Sequence, residues 1–223
     1  MNVLVFTAHP DDEVNCAGLL NKNSKEGGKN LIVCFTGNKK RLNELKESCK
    51  IIGAELLHLN LKEYELLNNQ ETILKLKKII MNFKPDVAIL QANDYHLDHK
   101  HVFDLSLFAL KIASHGDTGW FTRKVLEMET SFLIRYPDII VDISEEQDIK
   151  IKAFKAHKSQ TKGKSFGSYY LDIIDAKAKL RGVQIGATYG EAYIEHHMPI
   201  VGNFYKNSRG IKYLKNLTRG ELC

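Results

Sequence analysis

Two short stretches carry side chains able to do chemistry together: Ala8-His9-Pro10-Asp11-Asp12-Glu13 and, far downstream, His96-Leu97-Asp98-His99. Imidazole and carboxylate are ordinary zinc ligands, and the expected set is His9, Asp12 and His99. Nitrogen, oxygen and nitrogen from the protein leave the fourth position of a catalytic zinc open for water. A structural zinc would instead close its shell, usually with cysteines, and neither motif contains one. A cation so held lowers the pKa of its bound water to about 7. Asp11, next to a ligand but pointing differently, is then the expected general base. His96 has two open roles, a hydrogen bond to a tetrahedral oxyanion or protonation of the leaving group. Asp98 is expected to orient that imidazole.

Each residue has a plainer explanation. Asp11 or Asp12 serves equally as a helix N-cap, with Glu13 favoured by the positive end of the dipole. His96 alone is a loop histidine, and Asp98 alone an N-cap. Capping explains one or two acids, but neither a histidine at a strand end nor the proline between them.

The elements that must position these residues are legible. Val3 to Phe6 is a short β-branched and aromatic run, the mark of a buried strand. Val14 to Lys25 predicts a helix closed by Gly27-Gly28. Leu31–Phe35, Glu55–Leu59 and Val87–Leu90 predict strands, and Arg41–Ile52 and Glu71–Phe83 the helices between them. A helix from about Lys100 to Ala113 follows the second motif. Alternation of this kind predicts an α/β fold, Rossmann-like, with a mostly parallel sheet and helices on both faces. Ligands in such folds sit at the carboxyl ends of strands, where both motifs fall. Beyond, Lys124–Ile134 and Ile139–Ile143 read as strands, with a helix capped by Ser144 running to about His157. A Gly/Ser/Lys-rich loop covers 159–168, Tyr169–Leu180 is helical, and a Gly-punctuated segment closes the pattern. No repeat or linker divides the chain, so residues 1–223 are expected to form one domain.

The 43% hydrophobic and 26% charged content suits a globular protein rather than a disordered one. A net charge of +5 is mild, and no nucleic-acid partner is expected from it. Lys206, Arg209, Lys212, Lys215 and Arg219 form a basic tail, read as a solvated face. The cysteines (Cys16, Cys34, Cys49, Cys223) contain no CxxC pair and are expected to be reduced structural thiols. No basic stretch followed by a long apolar core opens the chain, so a cytoplasmic location without membrane attachment is expected.

Taken together, the two motifs resemble the LmbE / PIG-L family of zinc-dependent N-acetylglucosaminyl deacetylases. The first matches that family at every position; in the second, Leu97 stands where the family usually has proline. Weaker similarity extends through Arg41-Leu42-Asn43-Glu44, Val141-Asp142-Ile143-Ser144, the residues Lys152, Ala153, His157, Ser159 and Gln160, and Arg181-Gly182 to Glu191-Ala192-Tyr193. The resemblance implies one zinc per chain, another divalent metal being compatible, on His9, Asp12 and His99. It also implies Asp11 as base, His96 at the oxyanion with Asp98 in support, and Arg41 reaching toward the sugar or its aglycone. The plain alternative for Arg41 is a surface arginine paired with Glu44 or Glu47.

The expected reaction is hydrolysis of the N-acetyl amide of a small amino sugar. Rival readings are a metal hydrolase of another amide or ester, and a non-catalytic sugar- or nucleotide-binding module. No phosphate-binding glycine loop follows the first strand, which weighs against a nucleotide. A homo-oligomer is left open.

Overall fold

The computed structural model describes residues 1–66, 69–130, 132–165 and 167–196. The basic tail and Cys223 lie outside them. The order of elements is β1 (Asn2–Thr7), a 3-10 turn (Asp12–Cys16), α1 (Ala17–Lys25), β2 (Lys29–Cys34), α2 (Lys39–Ile52), β3 (Glu55–His58), α3 (Gln70–Phe83), β4 (Val87–Leu90) and α4 (Leu97–Ala113). Then come β5 (Lys124–Met128), β6 (Ile139–Asp142), α5 (Gln147–Ala156), the two-residue strands β7 and β8 (Lys164–Ser165, Ser168–Tyr169), α6 (Tyr170–Gln184) and β9 (Gly190–His196).

Seven strands form one sheet in the order β3-β2-β1-β4-β5-β9-β6. The first five are mutually parallel, and β9 runs antiparallel between β5 and β6. Alternate residues of a strand point to opposite faces, and β1 is buried on both. Leu4 and Phe6 pack on one side with Leu76, Ile80, Val102 and Ala109 of α3 and α4. Val3 and Val5 pack on the other with Leu20, Leu45, Ile52 and Ala153 of α1, α2 and α5. The α/β class, the mostly parallel sheet and helices on both faces are therefore as expected.

The sheet order decides where the site lies. β1 has β2 on one side and β4 on the other, so the chain reverses its direction of growth there. The loops leaving β1 and β4 part at this point and open a crevice beyond their carboxyl ends.

Several boundaries differ from expectation. The first helix does not begin at Val14: a 3-10 turn comes first, and α1 starts where Glu191 of β9 accepts the amides of Gly18 and Leu19, both at 2.9 Å. Ser144 is not a helix cap. Its hydroxyl donates to Asp142 Oδ1 (2.6 Å) and accepts from the amides of Thr188 and Tyr189, while α5 starts at Gln147. The strand from Lys124 ends at Met128. The glycine-punctuated segment contains β9, an inner strand. Its Glu191 forms a buried ion pair with Lys150 (2.7 Å) and accepts a hydrogen bond from the Tyr193 hydroxyl (2.9 Å). Cys16, Cys34 and Cys49 are free and buried, and burial pushes all three thiols up. No helix among the described residues is long and apolar enough to cross a membrane.

Candidate metal centre and active site

The turn after β1 is held by contacts from four directions. Asp12 folds back so that its Oδ2 accepts the His9 amide at 2.7 Å. Thr36, after β2, donates both its amide (3.0 Å) and its hydroxyl (2.7 Å) to the Ala8 carbonyl. Gly37 lies against Pro10, where a Cβ would meet the proline ring at 2.5 Å. Asp11 itself has φ 111° and ψ −20°, a conformation costly for a residue with a side chain. Buried Glu13 holds it there. Glu13 Oε2 accepts the Asp11 amide (2.9 Å), while Oε1 takes hydrogen bonds from Ser48 (2.6 Å) and His157 (2.7 Å).

The second motif opens α4. His96 is the N-cap residue, its Nδ1 accepting the Asp98 amide at 3.2 Å. A neutral imidazole with Nδ1 as acceptor carries its proton on Nε2, so the free edge of His96 is a donor. α4 therefore begins at Leu97 rather than near Lys100.

The two turns bring three imidazoles together. Ring centroids lie 5.4 Å apart for His9 and His99, 4.7 Å for His9 and His96, and 4.7 Å for the stacked His96 and His99. Each ring offers one nitrogen within 4.8 Å of the others. Two of the rings have a carboxylate behind them. Asp98 Oδ2 lies 3.0 Å from His9 Nε2, and Asp94 Oδ2 lies 2.8 Å from His99 Nδ1. The opposite nitrogens, His9 Nδ1 and His99 Nε2, each stand 3.6 Å from one oxygen of Asp12. A carboxylate on the far nitrogen is what fixes the tautomer of a metal-ligating histidine. The backing distinguishes His9 and His99 from His96, which has no carboxylate partner of this kind among the described residues.

The field at the site favours positive charge. Burial works against charging His9, yet Asp12 and then Asp98 push its pKa up to about 9. His99 is likewise raised against its burial by Asp12 and Asp94. Burial would raise Asp12, but His99 and His9 hold it well below the usual range. Burial and the charges of His9 and His99 lower His96, keeping it neutral. Asp11 is pushed up to about 7 by burial and by Asp12, against the pull of Arg41.

Asp98 and Arg41 sit differently from expectation. The Asp98 carboxylate, expected on His96, turns to His9 and to the Tyr64 amide (3.0 and 3.1 Å); only its backbone amide reaches His96. Arg41 Nη2 donates to the Pro10 carbonyl (2.6 Å) and to Asp11 Oδ1 (2.9 Å), and Nη1 lies 3.6 Å from Glu63. It pairs with neither Glu44 nor Glu47: Glu44 accepts from Ser159, and Glu47 from Lys50.

Sequence reasoning missed Asp94, Glu13 and Lys177. Asp94 had one available signal, a carboxylate five residues ahead of a candidate ligand at a strand end. Half-buried Lys177 had none. Its ammonium donates to Asn15 Oδ1 (3.1 Å) and to the Thr130 carbonyl. Asn15 in turn donates to the Asp12 carbonyl (3.0 Å), and the Thr130 hydroxyl to Asp94 (2.7 Å), so Lys177 ties the two turns together from behind.

The chain is similar to known proteins over most of its length. Residues 4–110 match the family model described as PIG-L: GlcNAc-PI de-N-acetylase, a stretch holding every residue placed at the site above except Thr130, His157 and Lys177. The chain is 28% identical over 186 residues to the probable N-acetyl-alpha-D-glucosaminyl L-malate deacetylase 2 of Bacillus subtilis, covering 73% of this chain and 84% of that protein. The solved N,N'-diacetylchitobiose deacetylase of Pyrococcus horikoshii superposes with TM-score 0.74 at 23% identity, over 89% of this chain and 87% of that one. The 4-carboxy-2-hydroxymuconate hydratase GalB of Pseudomonas putida superposes with TM-score 0.77 at 19% identity, over 92% of this chain and all of that one. The fold by itself thus does not choose a reaction.

Proposed function

We propose, from the match of residues 4–110 to the PIG-L model and the geometry of the site, that this chain is a PIG-L (LmbE-like) protein and a metal-dependent hydrolase removing the acetyl group from an N-acetylglucosamine-type amino sugar. One observation carries the reading. Two imidazoles, each backed by its own carboxylate, present their open nitrogens 3.6 Å from the two oxygens of Asp12. Such a donor set, two nitrogens and an oxygen in a field that favours positive charge, fits a divalent cation and suits zinc. His9, Asp12 and His99 would hold it. When bound, the cation supplies Lewis acidity toward the amide carbonyl and acidifies water.

The remaining work belongs to the chain. Asp11 has one oxygen fixed by Arg41, which leaves the other to take a proton from the attacking water. Its strained backbone is held by the Glu13 hydrogen bond, which fixes where the carboxylate stands. His96 donates its Nε2 proton as a hydrogen bond to the oxygen that becomes negative as the carbonyl carbon turns tetrahedral. That proton is committed to oxygen, so Asp11 is the group placed to return the proton it took to the departing nitrogen. Acetate and a free amine result. Asp98 and Asp94 act through the histidines they orient.

The test is acetate release by the metal-loaded protein from N-acetylglucosaminides, including N,N'-diacetylchitobiose and a malate conjugate, beside a chelator-treated control. Metal-dependent acetate release is the expected result. Silence on every N-acetyl pyranoside, with turnover of another amide, of an ester or of a hydratable enol acid, would replace this reading.

A further inference from the structure

Tyr64 is an anomaly that the catalytic roles leave unused. It is 67% exposed, yet its backbone is left-handed at φ 62°. A bulky residue in that region is a true outlier, and outliers of this kind gather at functional sites. What holds it is the site itself, since its amide donates to both oxygens of the fully buried Asp98, at 3.0 and 3.1 Å. The same carboxylate orients His9.

The ring that results is placed in register with the site. The rings of His99 and His96 stack at 4.7 Å and 28°, and Tyr64 follows His96 at 5.5 Å and 30°. Three adjacent rings, each tilted about 30° from the last, thus lead from the buried centre to solvent. Packing does not explain the tyrosine, because most of its side chain is in water. Nor does the backbone ask for it: glycine would adopt the same φ without cost.

We propose that Tyr64 is a substrate-positioning residue whose ring is the platform for the apolar C–H face of a pyranose, seating the sugar so that its acylated nitrogen lies beside His96. The polarised C–H groups of one face of a sugar ring meet the electron-rich face of an aromatic ring, which is the attraction required here. The inference rests on the deacetylase reading for the identity of the reacting group, but not for the binding of the sugar.

The experiment uses the metal-loaded protein and its Tyr64→Phe, Tyr64→Ala and Tyr64→Gly variants. Calorimetry gives the Kd for N,N'-diacetylchitobiose, acetate release gives kcat and KM, and thermal melting gives Tm. Loss of the ring in Tyr64→Ala and Tyr64→Gly should weaken binding about tenfold, with the change in KM rather than kcat. The preference for the pyranoside over acyclic N-acetylethanolamine should fall by a similar factor, and Tyr64→Phe should restore it. Tyr64→Gly should melt no lower than the parent, which separates a platform from a structural prop. Unaltered sugar affinity in Tyr64→Ala, no sugar binding by the parent, or a lower Tm in Tyr64→Gly would each overturn the proposal. Ring-dependent sugar binding without acetate release would leave the platform standing and remove the deacetylase reading. Acetate release indifferent to the ring would do the reverse.

Discussion

His157 Nε2 lies 2.7 Å from Glu13 Oε1, with both side chains fully buried, so the end of α5 holds the carboxylate that holds the Asp11 amide. The strained turn at Asp11, the proposed general base, is thereby over-determined from a distant part of the chain, as strained functional backbone must be. Burial works to lower the His157 pKa, but the charge and hydrogen bond of Glu13 raise it above the usual value.

A pH signature follows from that pair. A histidine whose folded pKa is raised stabilises the fold fully below its unfolded pKa of about 6.5, and less as pH rises through the folded value. The stability difference between the parent and His157→Gln, from urea melts, should therefore be largest below about pH 6.5 and shrink on the alkaline side. A difference that is flat, or grows with pH, would mean that His157 is neutral in the fold.

Asp11→Asn should keep stoichiometric metal, since the side chain lies beside the three expected ligands and not among them. Turnover should drop by about 10²-fold or more, the usual cost of losing a general base. Metal analysis on the same preparation as the acetate assay checks both halves. Full activity in a metal-loaded Asp11→Asn protein would remove the proposed mechanism.

Asp94→Asn should lower metal affinity by about 10- to 100-fold while the fold is retained, because an amide orients His99 without enhancing its basicity. Chelator competition measures this directly. Asp98→Asn should act likewise through His9. Affinity unchanged in both variants would show that the two carboxylates serve only the apo fold.

Gly37→Ala tests the turn from outside the motifs. Its φ of 120° is unfavourable for alanine, and the new Cβ would stand 2.5 Å from the Pro10 ring. A loss of about 1–3 kcal/mol in stability is expected, with a weakened metal site, because Pro10 lies between His9 and Asp11. Calorimetric melting with and without metal separates the two effects.

The sequence alone determined the alternation of strands and helices up to α4, and both chemical motifs at strand ends. Those follow from short-range rules, since the 2- and 3.6-residue periods, the capping residues and the glycine stops act within a few positions. Even β1 could be read as buried on both faces, because Val3 to Phe6 is apolar without alternation. What local reasoning misassigned was which carboxylate faces which imidazole. Asp98 lies two residues from His96 in the chain, yet its side chain meets His9, because α4 enters the crevice with that face toward the β1 turn. Asp94 and Glu13 took their roles from Thr130 and His157, partners no local pattern connects to them. The insertion of β9 between β5 and β6 was likewise invisible, since antiparallel pairing depends on what the rest of the sheet leaves unpaired. Local periodicity acts along the chain, whereas the orientation of a buried charge is set by whichever groups packing brings against it, and only the assembled sheet supplies those.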